Sequence, residues 1–248
     1  MKNIFQIAIG DLKLMHRTKI GYLIIGVYLI VNSLLFWIIE NPYNILSTGI
    51  GDLRPFFELS PWLLALLIPA IGMKSFTDEI QNKTIEVLFS KPLSSSHLVL
   101  GKFFGLLLLI CVSLIPLLIY FFTIQLLIVS NGSFELISHL SGLMGIFLIA
   151  LVFSAITLCL SLLLKNSVLV LIIGLIICCF HYYGWFYLAE LSSSTQWFNA
   201  LKSFGIIDHY KGLSKGILNV SDIVYYLLNI LLFLYLSTLF LERLKFQK

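Results

Sequence analysis

Cys178, Cys179 and His181 are the residues of this chain whose types and spacing come nearest to a soft-metal site, since thiolates with imidazole suit copper or zinc. Cys178 and His181 fall three residues apart, on one face of a helix, but no second pair of ligands lies close in sequence. Tyr182, Tyr183 and Trp185 follow at once, as in an aromatic belt at a membrane boundary. Packing thiols beside an interfacial imidazole is therefore the preferred reading, and no metal ligand is assigned. Cys111 and Cys159 also lie inside apolar runs, where cysteine acts as a small packing residue rather than as part of a disulfide framework. Phosphate chemistry fares no better. Gly101-Lys102 is followed by Phe103, so the hydroxyl that a phosphate-cradling loop needs for Mg²⁺ is absent. The expectation is a chain with no catalytic residue and no cofactor of its own; if ATP drives it, a separate chain binds the ATP and Mg²⁺.

Composition says where such a chain resides. Of its 248 residues 59% are hydrophobic and only 11% charged, with mean hydropathy +1.01, against roughly 25% charged in a soluble domain. The sequence predicts an integral membrane protein with six spans, about Ile20–Ile39, Ser60–Met73 running on toward Ile80, Phe103–Val129, Leu140–Leu164, Val168–Tyr187 and Ile223–Leu241. Ser60-Pro61 reads as N-cap and first residue of the second helix, and Pro116 as a kink in the third. The span cores hold no Asp, Glu, Lys or Arg, which argues against a proton- or ion-coupled carrier. Arg54 and Glu58 read as solvated loop charges.

The charges sort by side. Lys2, Lys13, Arg17, Lys19, Lys74, Lys83, Lys91, Lys102, Lys165, Arg243, Lys245 and Lys248 share one side, 12 of the 16 basic residues; Arg54, Lys202, Lys211 and Lys215 lie on the other. By the positive-inside rule both termini and the 74–102 segment are cytoplasmic. The formal charge of +4 thus belongs to the flanks of the spans and implies no nucleic-acid partner. Residues 1–19 predict an interfacial helix with Ile4, Phe5, Ala8, Leu12 and Met15 on one face and Lys2, Gln6, Lys13 and Arg17 opposite. Residues 188–221 form a mixed outer loop in which Trp197, Phe198, Leu201, Phe204 and Ile206 are apolar enough to lie in the membrane interface. One domain, 1–248, holds all of this.

The 74–102 segment is the chain's polar centre. Ile85, Leu88 and Phe89 at i, i+3 and i+4 predict a short helix from about Lys83 to Ser90 with one apolar stripe. Lys91-Pro92 would end it, and Ser94, Ser95 and Ser96 offer N-caps for the next helix, near His97. A short amphipathic helix at a membrane surface suits a groove on a soluble partner.

Phe76, Glu79, Thr84, Ile85, Glu86, Leu88, Pro92, Leu93 and Leu100-Gly101-Lys102 resemble the coupling-helix signature of type-2 ABC transporter permeases. That family has Gly before Thr-Ile-Glu where this chain has Asn82-Lys83, and Asn82 is the residue expected to tolerate a left-handed entry turn. The resemblance continues through Ile20-Gly21-Tyr22-Leu23-Ile24, Asn44-Ile45-Leu46, Pro55-Phe56-Phe57 and Pro61-Trp62-Leu63-Leu64. It extends on through Ile68-Pro69-Ala70, Met73-Lys74-Ser75-Phe76, Gly212-Leu213-Ser214-Lys215-Gly216 and Asp222, and is nearest the gliding-motility-associated subgroup. It implies an all-α polytopic protein of type-2 permease architecture, six transmembrane helices with an interfacial and a cytoplasmic coupling helix, in a bacterial inner membrane. It implies a cytoplasmic ABC ATPase and a second permease half, identical or not, as partners. Glu79, Ile85, Glu86, Leu88 and Phe89 would then couple the ATPase to the spans. The competing reading is a membrane scaffold of a motility or envelope complex that translocates nothing. A copper-linked or lipid-modifying protein has only the Cys178–His181 group behind it.

Overall fold

In the computed structural model, residues 4–10, 19–48, 53–90, 93–127, 136–192 and 194–246 are described. Every regular element among them is helical. α1 covers residues 4–10, α2 Lys19–Ser33, α3 Ile45–Thr48, α4 Arg54–Gly72, α5 Thr77–Gln81, α6 Ile85–Phe89, α7 Ser95–Leu114 and α8 Ile119–Leu127. α9 runs Leu136–Leu163, α10 Ser167–Cys179, α11 Trp185–Glu190, α12 Thr195–Lys202, α13 Ile206–Leu213 and α14 Val220–Phe246. Six helical stretches are long and apolar enough to cross a bilayer: Gly21–Ile38, Arg54–Gln81, Ser95–Leu126, Ser138–Leu163, Ser167–Glu190 and Val220–Phe246.

α9 is the hub, buried along most of its length and packed by α4, α7, α10, α13 and α14. Its sequence explains this. Gly142, Gly145, Ala150, Ala155 and Thr157 are small, and apolar helices associate in a membrane where small residues let them approach closely. A Cβ on Gly142 would lie 2.6 Å from the Phe57 ring and one on Gly145 2.8 Å from the Tyr210 ring. Its buried hydroxyls return to the backbone: Ser154 donates to the Ala150 carbonyl and Thr157 to that of Phe153.

The second helix corrects the sequence reading. It begins at Arg54, with Pro55 in the first turn and Phe56 and Phe57 buried, so Pro61 is interior and Ser60 is not its cap. Instead the Ser60 hydroxyl donates to the Phe56 carbonyl at 2.6 Å. An interior proline frees the carbonyl four residues back, here that of Phe57. The Tyr210 hydroxyl donates to it at 2.8 Å. The proline is therefore tolerated because a distant side chain replaces the lost backbone donor. In the third span the helix tightens to a 3₁₀ turn over Ile115–Leu118, at Pro116.

Within 188–221, between the end of α11 and the start of α14, the described residues include two further helices, α12 and α13. α13 buries Ile206, Ile207, Tyr210 and Leu213 against the bundle, so Ile206 belongs to the core and not to the interface. Trp197 and Phe204 remain exposed. His209 fastens this cap to the start of α14: Nδ1 lies 2.7 Å from Asp222 Oδ1, Nε2 3.0 Å from the Ser203 carbonyl, and the ring stacks on Tyr225 at 3.9 Å.

Candidate coupling site

The second span does not end cleanly. At Gly72 a Cβ would meet Thr157 Cγ2 at 2.6 Å and Leu106 Cδ2 at 3.3 Å, so the helix is wedged between α9 and α7. Residues 73–76 then turn, and α5 restarts the helix at Thr77. Thr77 Oγ1 donates to the Ser161 carbonyl at 3.1 Å, and Gln81 Nε2 donates to the Lys165 carbonyl. Ser167 Oγ donates to Asp78 Oδ1 at 3.3 Å. α5 is thus laced to the end of α9 and the start of α10.

Lys102, in the second turn of α7, holds the other side. Its side chain is 4% exposed, with Nζ 2.7 Å from Glu79 Oε1 and 4.8 Å from the centre of the Phe76 ring. Nζ also donates to the Ser75 carbonyl. The charge-assisted bond stands in place of water lost by the buried Lys102, while the Glu79 side chain keeps 23% of its surface exposed. By contrast the Lys74–Asp78 pair is half-exposed at 3.8 Å and contributes little. One position before Lys102, a Cβ on Gly101 would sit 2.7 Å from Ile7 of α1, whose Ala8 is also buried. Leu12 and Met15 of the predicted interfacial face, with Lys2, Lys13 and Arg17, lie outside the described residues, as does the Lys91-Pro92 helix stop.

Between α5 and α6 the chain reverses through Asn82–Thr84. The left-handed residue is Lys83, at φ 57°, whereas Asn82 sits at φ −83°. This corrects the expectation for Asn82. The residue directly before Thr84-Ile85-Glu86 is where the geometry demands positive φ, and a lysine carries it at a steric cost. Thr84 Oγ1 donates to the Glu79 carbonyl at 3.4 Å across the turn.

α6 is shorter than the 83–90 expected, and its stripe faces inward. Ile85 is buried in the core, and Leu88 and Phe89 are half-buried and packed against it. Glu86 and Val87 are exposed. The next helix takes Ser94 as its cap, its Oγ accepting from the His97 N–H at 3.3 Å, so α7 begins at Ser95. The site thus joins Glu79, Ile85, Glu86, Leu88 and Phe89 in one short segment between two spans. Sequence reasoning overlooked Lys102 as the partner of Glu79. The available signal was a lysine at the start of an apolar run, opposite in charge to the glutamate ending the preceding one.

Elsewhere, His181 Nε2 lies 3.2 Å from Asn229 Oδ1, and Cys178 is fully buried. Among the described residues no three His, Cys, Asp or Glu side chains gather as a metal site would need.

Residues 14–246 match the family model described as ABC-2 family transporter protein. The chain belongs to the ABC-2 transporter family. It is a multi-pass membrane protein and a permease component of an ABC transporter, which implies association with an ABC ATPase. A permease of this family is a transport component rather than the catalytic chain. No curated protein matches the sequence.

Proposed function

We propose that this ABC-2 permease couples ATP hydrolysis by a separate cytoplasmic ATPase, which holds the ATP and Mg²⁺, to export across a bacterial inner membrane. The observation that carries the reading is the α5–α6 segment. A five-residue helix anchored by Ile85 in the core, with Glu86 and Val87 open to solvent, follows directly on α5, which is bonded to the α9–α10 turn. A rigid apolar anchor beneath an exposed charged rim is suited to receiving a push from a docked partner. Glu86 and Val87 touch the ATPase, Leu88 and Phe89 fill the edge of its groove, Ile85 seats the helix, and Glu79 passes the motion to the second span. The termini and α5–α6 are cytoplasmic, in keeping with the distribution of basic residues. The chain works as one permease domain, paired with a second permease half. The sequence likeness to gliding-motility-associated permeases supports that subgroup.

The test is reconstitution of the chain with its ATPase in liposomes. The expected outcome is hydrolysis by the complex faster than by the ATPase alone, with no turnover by the permease chain alone. An ATPase that binds the chain but hydrolyses at its unassisted rate would favour the scaffold reading.

A further inference from the structure

The coupling reading gives Glu79 a role in passing motion to the second span, but leaves open how the third span follows. We propose that Lys102 is a positioning residue, a two-sided clamp that makes the ends of the second and third spans move as one unit when the ATPase pushes on α6. The inference rests on that coupling reading and adds a residue outside the docking surface.

Three observations converge on it. First, Lys102 is 4% exposed yet stands in the second turn of α7, so its charge is held inside the protein. Second, three of its contacts fall on the turn over residues 73–76 and the helix after it. Nζ donates to the Ser75 carbonyl, lies over the Phe76 ring, and pairs with Glu79 Oε1 in α5 at 2.7 Å. The turn that joins α4 to α5 is thus gripped on both the turn itself and the helix beyond it by a single cation. Third, α5 cannot swing away from α9 and α10 on its own, because Thr77 and Gln81 are bonded to the Ser161 and Lys165 carbonyls. A push on α6 therefore meets α5 already tied to α9 and α10, and Lys102 adds α7 to the group that must follow. With Lys102 in place the push is carried into α7 through the Nζ contacts.

A packing role alone would serve the fold and have no bearing on the ATPase, which makes the two separable. The complex of full-length chain and ATPase is reconstituted in liposomes, and ATPase binding and ATPase stimulation are measured for Lys102→Met, Glu79→Gln and Lys102→Arg. The clamp predicts that Lys102→Met and Glu79→Gln bind the ATPase as the unaltered chain does. It further predicts that stimulation falls about fivefold or more, the lower range of typical coupling between sites. Lys102→Arg, which keeps a cation and several donors, restores most of it. Lys102→Met and Glu79→Gln with unaltered binding and unaltered stimulation would overturn the clamp while leaving α6 docking intact. Should Lys102→Met fail to fold, Glu79→Gln and Lys102→Arg decide by the same criterion. Failure of the unaltered chain to bind the ATPase would remove the coupling reading and the clamp with it.

Discussion

Two residues hold their places against local preference, and both can be tested singly. Lys83 occupies the left-handed region at φ 57°, where a side chain costs roughly 1–2 kcal/mol that glycine does not pay. Lys83→Gly should therefore firm the turn into α6, seen as amide exchange across residues 85–89 slowed about fivefold, the equivalent of ~1 kcal/mol. Unchanged or faster exchange would show that the turn is not strained. Tyr210 supplies the hydroxyl that Pro61 makes necessary, bonded to the Phe57 carbonyl at 2.8 Å. Tyr210→Phe leaves that buried carbonyl without its donor and should lower stability by about 1–3 kcal/mol in a thermal melt in detergent. Burial pushes the Tyr210 phenol well above its ordinary range, so the folded state holds the proton more tightly than the unfolded state. Its contribution is then fully present below about pH 10, the ordinary tyrosine value, and is lost as pH rises beyond it. A melting temperature that climbs above pH 10 in the unaltered chain, but not in Tyr210→Phe, would contradict this.

At the scale of the element, α6 divides its residues between holding and touching. Ile85→Ala opens a cavity beneath the helix and should cost about 2–5 kcal/mol of local stability, read as faster exchange in residues 85–89. Leu88→Ala and Phe89→Ala, half-buried at the edge, should each weaken ATPase binding by about tenfold, as expected for removing ~1.4 kcal/mol of contact. Wild-type retention of the ATPase by both variants in a pull-down would refute their contact role. The i, i+3, i+4 spacing of Ile85, Leu88 and Phe89 made this helix legible, but not the direction its stripe faces. Periodicity defines a face and is silent on whether the surface it meets belongs to the same chain. The start of α4 was misread for a similar reason. Ser60-Pro61 is a good local cap, and only the distant Tyr210 hydroxyl makes an interior proline acceptable. Likewise the opposite charges of Glu79 and Lys102 are visible 23 residues apart, while their pairing depends on how two spans pack.

At the scale of the molecule, six spans were readable because each is a run of apolar residues long enough for the bilayer, whereas the central place of α9 emerges only from its packing. The residues of α13 were harder to place. Its apolar side chains are equally suited to a lipid interface and to a core, and Ile206 proved to be core. The proposed coupling requires that the α5–α6 end face the cytoplasm and meet an ATPase there, with α12 on the opposite side. A photo-crosslinking residue placed at Val87, exposed on α6, or at Gln196, exposed on α12, tests both halves at once in intact cells. The Val87 probe is expected to capture the ATPase subunit and the Gln196 probe is not. Capture from Gln196, or from neither position while the complex still co-purifies, would contradict the proposed coupling.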